Sequence, residues 1–361
     1  VKITNTEIIV YDIPLIKVFK NSLSSKSTQK SLVLVLTTDE GFTGISSIEP
    51  DSPNYSEETW YGIKETTTRE FFPILLSEDP QNIEQINNRM NDKIYGHFMS
   101  KSLVETALFD LNAKKHQTQV YKFIGGTSLR PIPLIGWIGI SEADQIVSET
   151  KRFLDQGFEC IKYKISNNIE STIENICSVR KQFGYEFKIR LDANQTLSKK
   201  QALKLIDKIS RYEISLLEQP INRDDIEEMA AVKRYSTIPI MADESAASIA
   251  AVKFLIWAKA CDIIKIKIMR SGGINAAMQI LALAKENDIR CVIGNGFSTS
   301  LGTSIEANFY LANNYLEKYA EFVGPLKMKG DVVKTPIRIE NGKLIPQSGF
   351  GYGYDRIDLE L

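Results

Sequence analysis

Histidine is nearly absent from this chain of 361 residues, with only His97 and His116, both in the first third. Any site further along must therefore work without imidazole as a base or a metal ligand. Cysteine is sparse as well. Cys160, Cys177, Cys261 and Cys291 form no CxxC pair, so a disulfide framework or a zinc ribbon is not expected, and the thiols read as buried. The charges nearly cancel at a net −1, which gives no general attraction to nucleic acid or to an anionic membrane. No apolar run approaches the roughly 18 residues needed to span a bilayer. The opening "VKITNTEIIVYDIPL" reads as a strand and lacks the continuous apolar stretch of a secretion signal. A cytoplasmic protein is expected.

What is present divides into three textures. Residues 1–130 read as an α+β unit. Residues 2–13 alternate as a strand, and "SLVLVLTTDEGFTGISSIEP" gives two more around a turn at Asp39–Gly41. Helical patterns follow near 56–72, 82–94 and 99–116, the last with Leu103, Ala107 and Leu111 on one face. Residues 15–30 show no period and read as a long loop, which makes them functional or mobile.

Residues 131–330 alternate short strand-like runs with helical segments. The runs cover 132–140, 160–165, 187–194, 214–220, 239–245, 263–269, 291–296 and 319–323. Eight such repeats imply a parallel sheet closed as a (β/α)8-type barrel, a modified TIM barrel. Residues 331–361 return to strands and turns, ending in "SGFGYGYD". They are expected to pack back on the first unit and complete an α+β capping domain.

The ionisable residues near the ends of the central strands are Lys164, Asp192, Glu218, Asp243 and Lys267, with successive separations of 28, 26, 25 and 24. One strand–helix unit has that length. The five residues should converge at the C-terminal mouth of the barrel, where barrel active sites sit. Asp192, Glu218 and Asp243 would crowd three carboxylates together, which repel unless a cation neutralises them. Oxygen-only ligands point to Mg2+, with Mn2+ second, and disfavour zinc. Taken singly, each acid would pass for a helix cap or a solvated strand end. The common phase is what argues for a metal.

In "CIKYKIS", Lys162 and Lys164 share one face of a strand. A lysine must fall roughly 3 pH units from about 10.4 to serve as a base near neutrality. Partial burial, a metal and a neighbouring ammonium such as that of Lys162 all push that way. Lys265 shares the face of Lys267 one layer deeper and reads as structural.

Together "KYK", "LDAN", "LLEQP", "ADES" and "KIMRSGG" resemble the enolase superfamily, and within it the muconate lactonizing enzyme (muconate cycloisomerase)-like subgroup. The resemblance covers nearly the whole chain. It implies that Asp192, Glu218 and Asp243 bind Mg2+ and that Lys164 and Lys267 are the acid/base pair on opposite faces of a small-molecule carboxylate. It implies that Lys162 assists at that carboxylate and that Asn194 supports the metal shell. The activity implied is an isomerase that removes a proton α to a carboxylate through a metal-stabilised enolate. That isomerase would be a racemase or epimerase of an amino-acid derivative, or a cycloisomerase of the muconate type. A lyase that dehydrates a hydroxy acid or a hydroxyproline-like compound on the same scaffold is the alternative, and a barrel that binds without turnover is a third reading. The barrel region contains no histidine, so the His–Asp base of the mandelate racemase subgroup is disfavoured by inventory.

Two departures narrow the comparison. Dipeptide epimerases place two acids on the eighth strand, whereas "AEFVGPL" has Glu321 and then Val323. Relatives often carry a glutamate on the seventh strand, where "GNGFST" has Ser298. By resemblance, residues 15–30 and about 50–57 select the substrate, with Lys17, Phe19, Lys20 and Tyr55 as candidate contacts. The family's barrels tend to associate, so a homo-oligomer is expected.

Overall fold

The computed structural model describes residues 1–20, 25–51 and 57–358, apart from the side chains of residues 19, 20 and 25. Strands β1 (Ile3–Lys20), β2 (Ser25–Thr38) and β3 (Thr43–Ile48) form an antiparallel sheet in that order. Alternation decides the packing. Leu32, Leu34 and Leu36 meet Leu103, Ala107, Leu108 and Leu111 of the helix Phe98–Lys115, while Val33 and Ile45 belong to the larger core. The approach of β3 to that helix is close: a Cβ at Gly44 would lie 2.3 Å from the Ala107 carbonyl oxygen. Residues 15–20 and 25–30 are strand, not loop. Most of them extend the β1–β2 ribbon as far as the pairings of Phe19 with Lys26 and Lys20 with Ser25. Their polar composition hides the strand because Ile16, Lys17 and Val18 are exposed.

A short strand β4 (Ile132–Pro133) leads into the parallel sheet. Its members are β5 (Gly136–Ile138), β6 (Cys160–Lys164), β7 (Lys188–Asp192), β8 (Ile214–Glu218), β9 (Ile240–Ala242), β10 (Ile263–Ile266) and β11 (Arg290–Ile293). They lie side by side in sequence order. The helices between them face the sheet with apolar stripes. Ala202, Leu205, Ile206 and Ile209 are the buried set of Lys199–Ile209, a helix begun by a reciprocal Ser198–Gln201 capping box.

The eighth strand-like run, 319–323, forms no regular strand. It spans the gap by a few bonds: the Glu321 N–H donates to the Ile293 carbonyl at 3.0 Å, the Ala320 N–H to the Pro133 carbonyl at 3.0 Å, and the Ile135 N–H to the Ala320 carbonyl at 3.1 Å. Inside the cylinder, Leu216, Met241, Ile263 and Val292 form an apolar layer. On three of these strands the residue two places further along reaches the next layer and is charged: Glu218, Asp243 and Lys265.

The chain then adds β12 (Arg338–Glu340) and β13 (Lys343–Ile345), the latter pairing with β4. Tyr352 reaches the first unit, its N–H donating to Asp110 Oδ1 at 2.9 Å and its hydroxyl to the Thr106 carbonyl at 3.0 Å. All four cysteines are free. Cys177 is exposed, against expectation, because it lies on the outer side of the helix Ile169–Phe183, and the other three are buried.

Glu105 ties the two layers together. It is buried, accepts from Asn87 Nδ2 at 2.7 Å and from the Asn275 N–H at 3.3 Å, and burial lifts its carboxyl to about 7. A carboxyl raised on folding binds more protons in the native than in the unfolded state. Its contribution is therefore lost as pH rises from about 4.5 to about 7. Glu105→Gln should remove that dependence. Urea midpoints at pH 5 and pH 8 are expected to differ less in the variant than in the wild type, by on the order of 2–3 kcal/mol.

Candidate active site

The parity of the strands explains the paired lysines. On β6, Ile161 and Tyr163 face the helices while Lys162 and Lys164 face the barrel axis. On β10, Ile264 and Ile266 face out while Lys265 points in, and Lys267 follows it. Each K-x-K therefore supplies one deep and one outer ammonium.

The deep pair share the same acids. Lys162 Nζ lies 3.0 Å from Glu218 Oε2 and 2.6 Å from Glu321 Oε2. Lys265 Nζ lies 2.9 Å from Glu218 Oε1 and 2.5 Å from Glu321 Oε2. Arg190 Nη1 adds a contact of 3.2 Å to Glu321 Oε1. The outer pair take separate acids. Lys164 Nζ donates to Asp192 Oδ2 at 2.6 Å and to Asn194 Oδ1 at 2.5 Å, and Lys267 Nζ donates to Asp243 Oδ2 at 2.9 Å. Lys164 and Lys267 stand at opposite ends of the row β6–β7–β8–β9–β10, with Asp192, Glu218 and Asp243 between them.

Burial and charge set the proton affinities. Asp192 is held at about 2: burial opposes its charge, but Lys164 and then Lys162 and Lys265 outweigh it. Asp243 also lies well below the usual carboxylate range, since Lys267, Lys265 and Arg270 overcome burial. Burial and then the charge of Asp192 push Glu218 up to about 8, despite the two deep lysines. Lys265 is held well above the ordinary lysine value because Glu218, Glu321 and Asp243 outweigh its burial. Lys267 moves the other way. Burial lowers it, Arg270 and Lys265 add to the effect, and Asp243 opposes them. Lys162, offered by the sequence as a like charge beside Lys164, is instead enclosed by acids and belongs to the floor.

Other candidates fall differently. Asn194, at φ +42°, accepts from Lys164 and donates from Nδ2 to Glu244 Oε1 at 3.1 Å. Glu321 lines the cavity from its floor. Ser298 does not line it. Its hydroxyl donates to Glu49 Oε2 at 3.0 Å, in a buried cluster with Ser31, Ser47 and Thr299, and Asn295, Gly296 and Phe297 face the cavity instead. Lys17 is exposed and pairs with Glu149 at 3.3 Å, away from the strand ends. The Phe19 and Lys20 side chains and all of Tyr55 lie outside the described residues.

Sequence reasoning left two participants without a role. Lys265 is where the sequence puts it, one layer below Lys267, and it joins the floor acids. Arg270, one helical turn after Lys267, grips both the carboxylate and the carbonyl of Asp243. Glu244 follows Asp243 directly; it is buried and its Oε2 has no hydrogen-bond partner. The "DE" and "KxxR" spacings inside the quoted stretches were the available signals.

The donor chemistry suits a hard divalent cation. Three buried carboxylates stand on neighbouring strands, one of them raised by burial and by the charge of Asp192, with the orphaned Glu244 oxygen beside them. Among the described residues no three His, Cys, Asp or Glu side chains converge on one point as a ready cation cage, because ammonium groups draw the acids apart. The cavity above them has about 770 Å3 of open space.

A parallel barrel with three acids in a row flanked by two lysines at its mouth defines an α/β-barrel enzyme of the enolase type. Residues 145–358 match the enolase C-terminal domain-like family and residues 5–125 the N-terminal domain of the mandelate racemase / muconate lactonizing enzyme family. The chain belongs to that family and is an enolase-superfamily isomerase of the muconate lactonizing enzyme-like subgroup. It is 29% identical to an N-succinyl-L-Arg/Lys racemase of Bacillus cereus, over 97% of this chain and 95% of the relative. The dipeptide epimerase of Enterococcus faecalis, solved with Mg and the dipeptide L-Leu-L-Tyr, superimposes with a TM-score of 0.92 at 27% identity, covering 98% of this chain and 99% of that one. The muconate lactonizing enzyme of Pseudomonas fluorescens, solved with muconolactone, gives 0.94 at 26% identity over 99% and 97%. Among the described residues, no helix is long and apolar enough to cross a membrane.

Proposed function

We propose that this isomerase is Mg2+-dependent and moves a proton at the carbon α to a substrate carboxylate, as a racemase or epimerase of an amino-acid derivative. The observation that carries the reading is the order of groups around the mouth: Lys164, then Asp192, Glu218 and Asp243, then Lys267. Magnesium held by the three acids would neutralise them and attract the negative charge that grows on the substrate carboxylate as the α-proton leaves.

The chain's own groups do the rest. Lys267, lowered by burial, can take the proton, and Lys164, on the far side, can return one. Asn194 orients Lys164. Lys162 and Lys265 fix Glu218 and Glu321 from below, so the acid facing the substrate cannot swing.

A cycloisomerase would need only one of the two lysines for proton transfer. Glu321 supports that second reading. Three cations saturate it and Val323 follows, so the eighth segment offers little to hold a substrate ammonium group.

The test is α-hydrogen exchange in D2O over a panel of N-acyl amino acids, dipeptides and muconate-type diacids, followed by NMR and mass spectrometry. Exchange that requires Mg2+ and stops with chelator is expected. Turnover unaffected by chelation would defeat the metal assignment. A product of altered mass would point to a lyase, the alternative raised by the sequence.

A further inference from the structure

We infer that the chamber enclosed by β3, the helix Phe98–Lys115 and the barrel binds one alkali-metal ion, held between the carboxylates of Glu49 and Glu306. The site is separate from the acids at the barrel mouth and does not depend on the reaction proposed for them. Glu49 follows β3, and Glu306 lies on the helix Ser300–Ala312 of the barrel. Both line a chamber of about 270 Å3, together with Ser47, Ser102, Thr106 and Ser298. Gly302 stands one helical turn before Glu306 and makes the room: a Cβ there would lie 2.6 Å from Glu49 Oε2 and 2.6 Å from Ser298 Oγ. Met269 and Asn295 line this chamber and the reacting cavity alike, with Asn295 Nδ2 donating to Met269 Sδ at 3.2 Å. The ion would therefore sit directly behind a wall of the reacting cavity.

Two observations point to a cation there. The first is an orphaned oxygen: Glu306 is 3% exposed, and its Oε2 has no hydrogen-bond partner. A buried acceptor left unmade is costly, and a cation supplies what it lacks. The second is the charge of Glu49, which is 1% exposed. Ser31, Thr299 and Ser298 all donate their hydroxyls to it, at 2.7, 2.8 and 3.0 Å. A carboxylate accepts all three, whereas a protonated acid would have to turn one of them around. Among the described residues no lysine, arginine or histidine lies within ion-pair distance of either acid. Buried charge without such a partner calls for a metal ion. Two acids and several hydroxyl oxygens suit a hard monovalent ion, since Ca2+ takes about six to eight oxygen ligands. A proton is the competitor. Burial pushes Glu306 up to about 8 and Glu49 adds to this, while Lys267, Lys265 and the Ile268 N–H oppose it. Burial raises Glu49 as well, against the pull of its hydroxyls.

The experiment is urea unfolding at about pH 9, where the proton competes least, in KCl, NaCl or choline chloride at one ionic strength. Mg2+ is present throughout to occupy the mouth. The preferred alkali ion, at about ten times its dissociation constant, should lower the unfolding constant roughly tenfold relative to choline. Exchanging KCl for NaCl at constant total salt identifies that ion. Glu306→Gln keeps the shape and removes the charge, and it should bring the three salts to within about twofold of one another. Equal unfolding constants for the wild type in all three salts would overturn the inference, because two protonated acids need no ion. An alkali-ion preference that survives Glu306→Gln would also overturn it, because the ion would then lie elsewhere. If Glu306→Gln does not fold, crystals of the wild type grown in thallium(I) decide: anomalous density between Glu49 and Glu306 supports the site, and its absence there overturns it.

Discussion

Lys164→Met and Lys267→Met should each slow α-proton exchange roughly a thousandfold, and each for a different hand of the substrate. Methionine keeps the length of the side chain and removes the amine. The lysines approach from opposite ends of the acid row, so each can reach only one face of a substrate held between them. With Lys164 gone, one enantiomer should still lose its α-deuterium to solvent through Lys267, while racemisation stops. The reciprocal pattern is expected for Lys267→Met. Following deuterium wash-out from each enantiomer separately would resolve the two cases. If both variants lost the same enantiomer, one lysine alone would be moving protons, and the cycloisomerase reading would gain. If neither variant slowed exchange, the assignment of bases would fail.

The second large effect concerns stability. Lys265→Met should destabilise the fold by roughly 3 kcal/mol, because it leaves Glu218 and Glu321 buried with fewer cations than they hold now. The urea midpoint measures this. Lys162→Met should behave similarly, and the double variant should cost more than the sum of the two. Each lysine contacts both acids, so either can partly cover for the loss of the other, and only joint removal leaves the acids to Arg190 and to each other. Strict additivity would mean that the four groups do not act as a unit. These substitutions also test whether the floor is structural: metal-dependent exchange should persist in whatever folded fraction remains.

The row of site residues was legible because two periods coincided. Alternation along a strand sends every second residue inward, and one strand–helix unit returns the chain to the same height. Lys164, Asp192, Glu218, Asp243 and Lys267 satisfy both, so spacing alone placed them together. The same rule puts Lys265 one layer below Lys267, and the floor contacts to Glu218 and Glu321 agree. Loops follow no such period. After β11 the chain turns, and counting along it could not distinguish Phe297, which faces the cavity, from Ser298, which faces Glu49. The ribbon formed by residues 15–20 and 25–30 is hidden in the sequence because exposed residues such as Ile16, Lys17 and Val18 interrupt the alternation of a half-buried sheet. The run 319–323 erred in the other direction. Its apolar residues look like a strand and are buried like one, but the chain meets its neighbours through one bridge at Ala320 and one bond at Glu321, too few for a ladder.

That sparse closure carries a consequence for how the molecule breathes. A cylinder parts most easily where rungs are few, and the line between β11 and β5, which has no regular ladder, is such a place. Glu321 lies in it, bonded across the axis to Lys162, Lys265 and Arg190, so those three cations latch the wall shut from within. Opening the wall would expose buried charge to water and scatter the reacting groups at once. Amide hydrogens of Ile135 and Glu321 should therefore exchange with solvent in step with reversible loss of activity, making them natural reporters of the competent state.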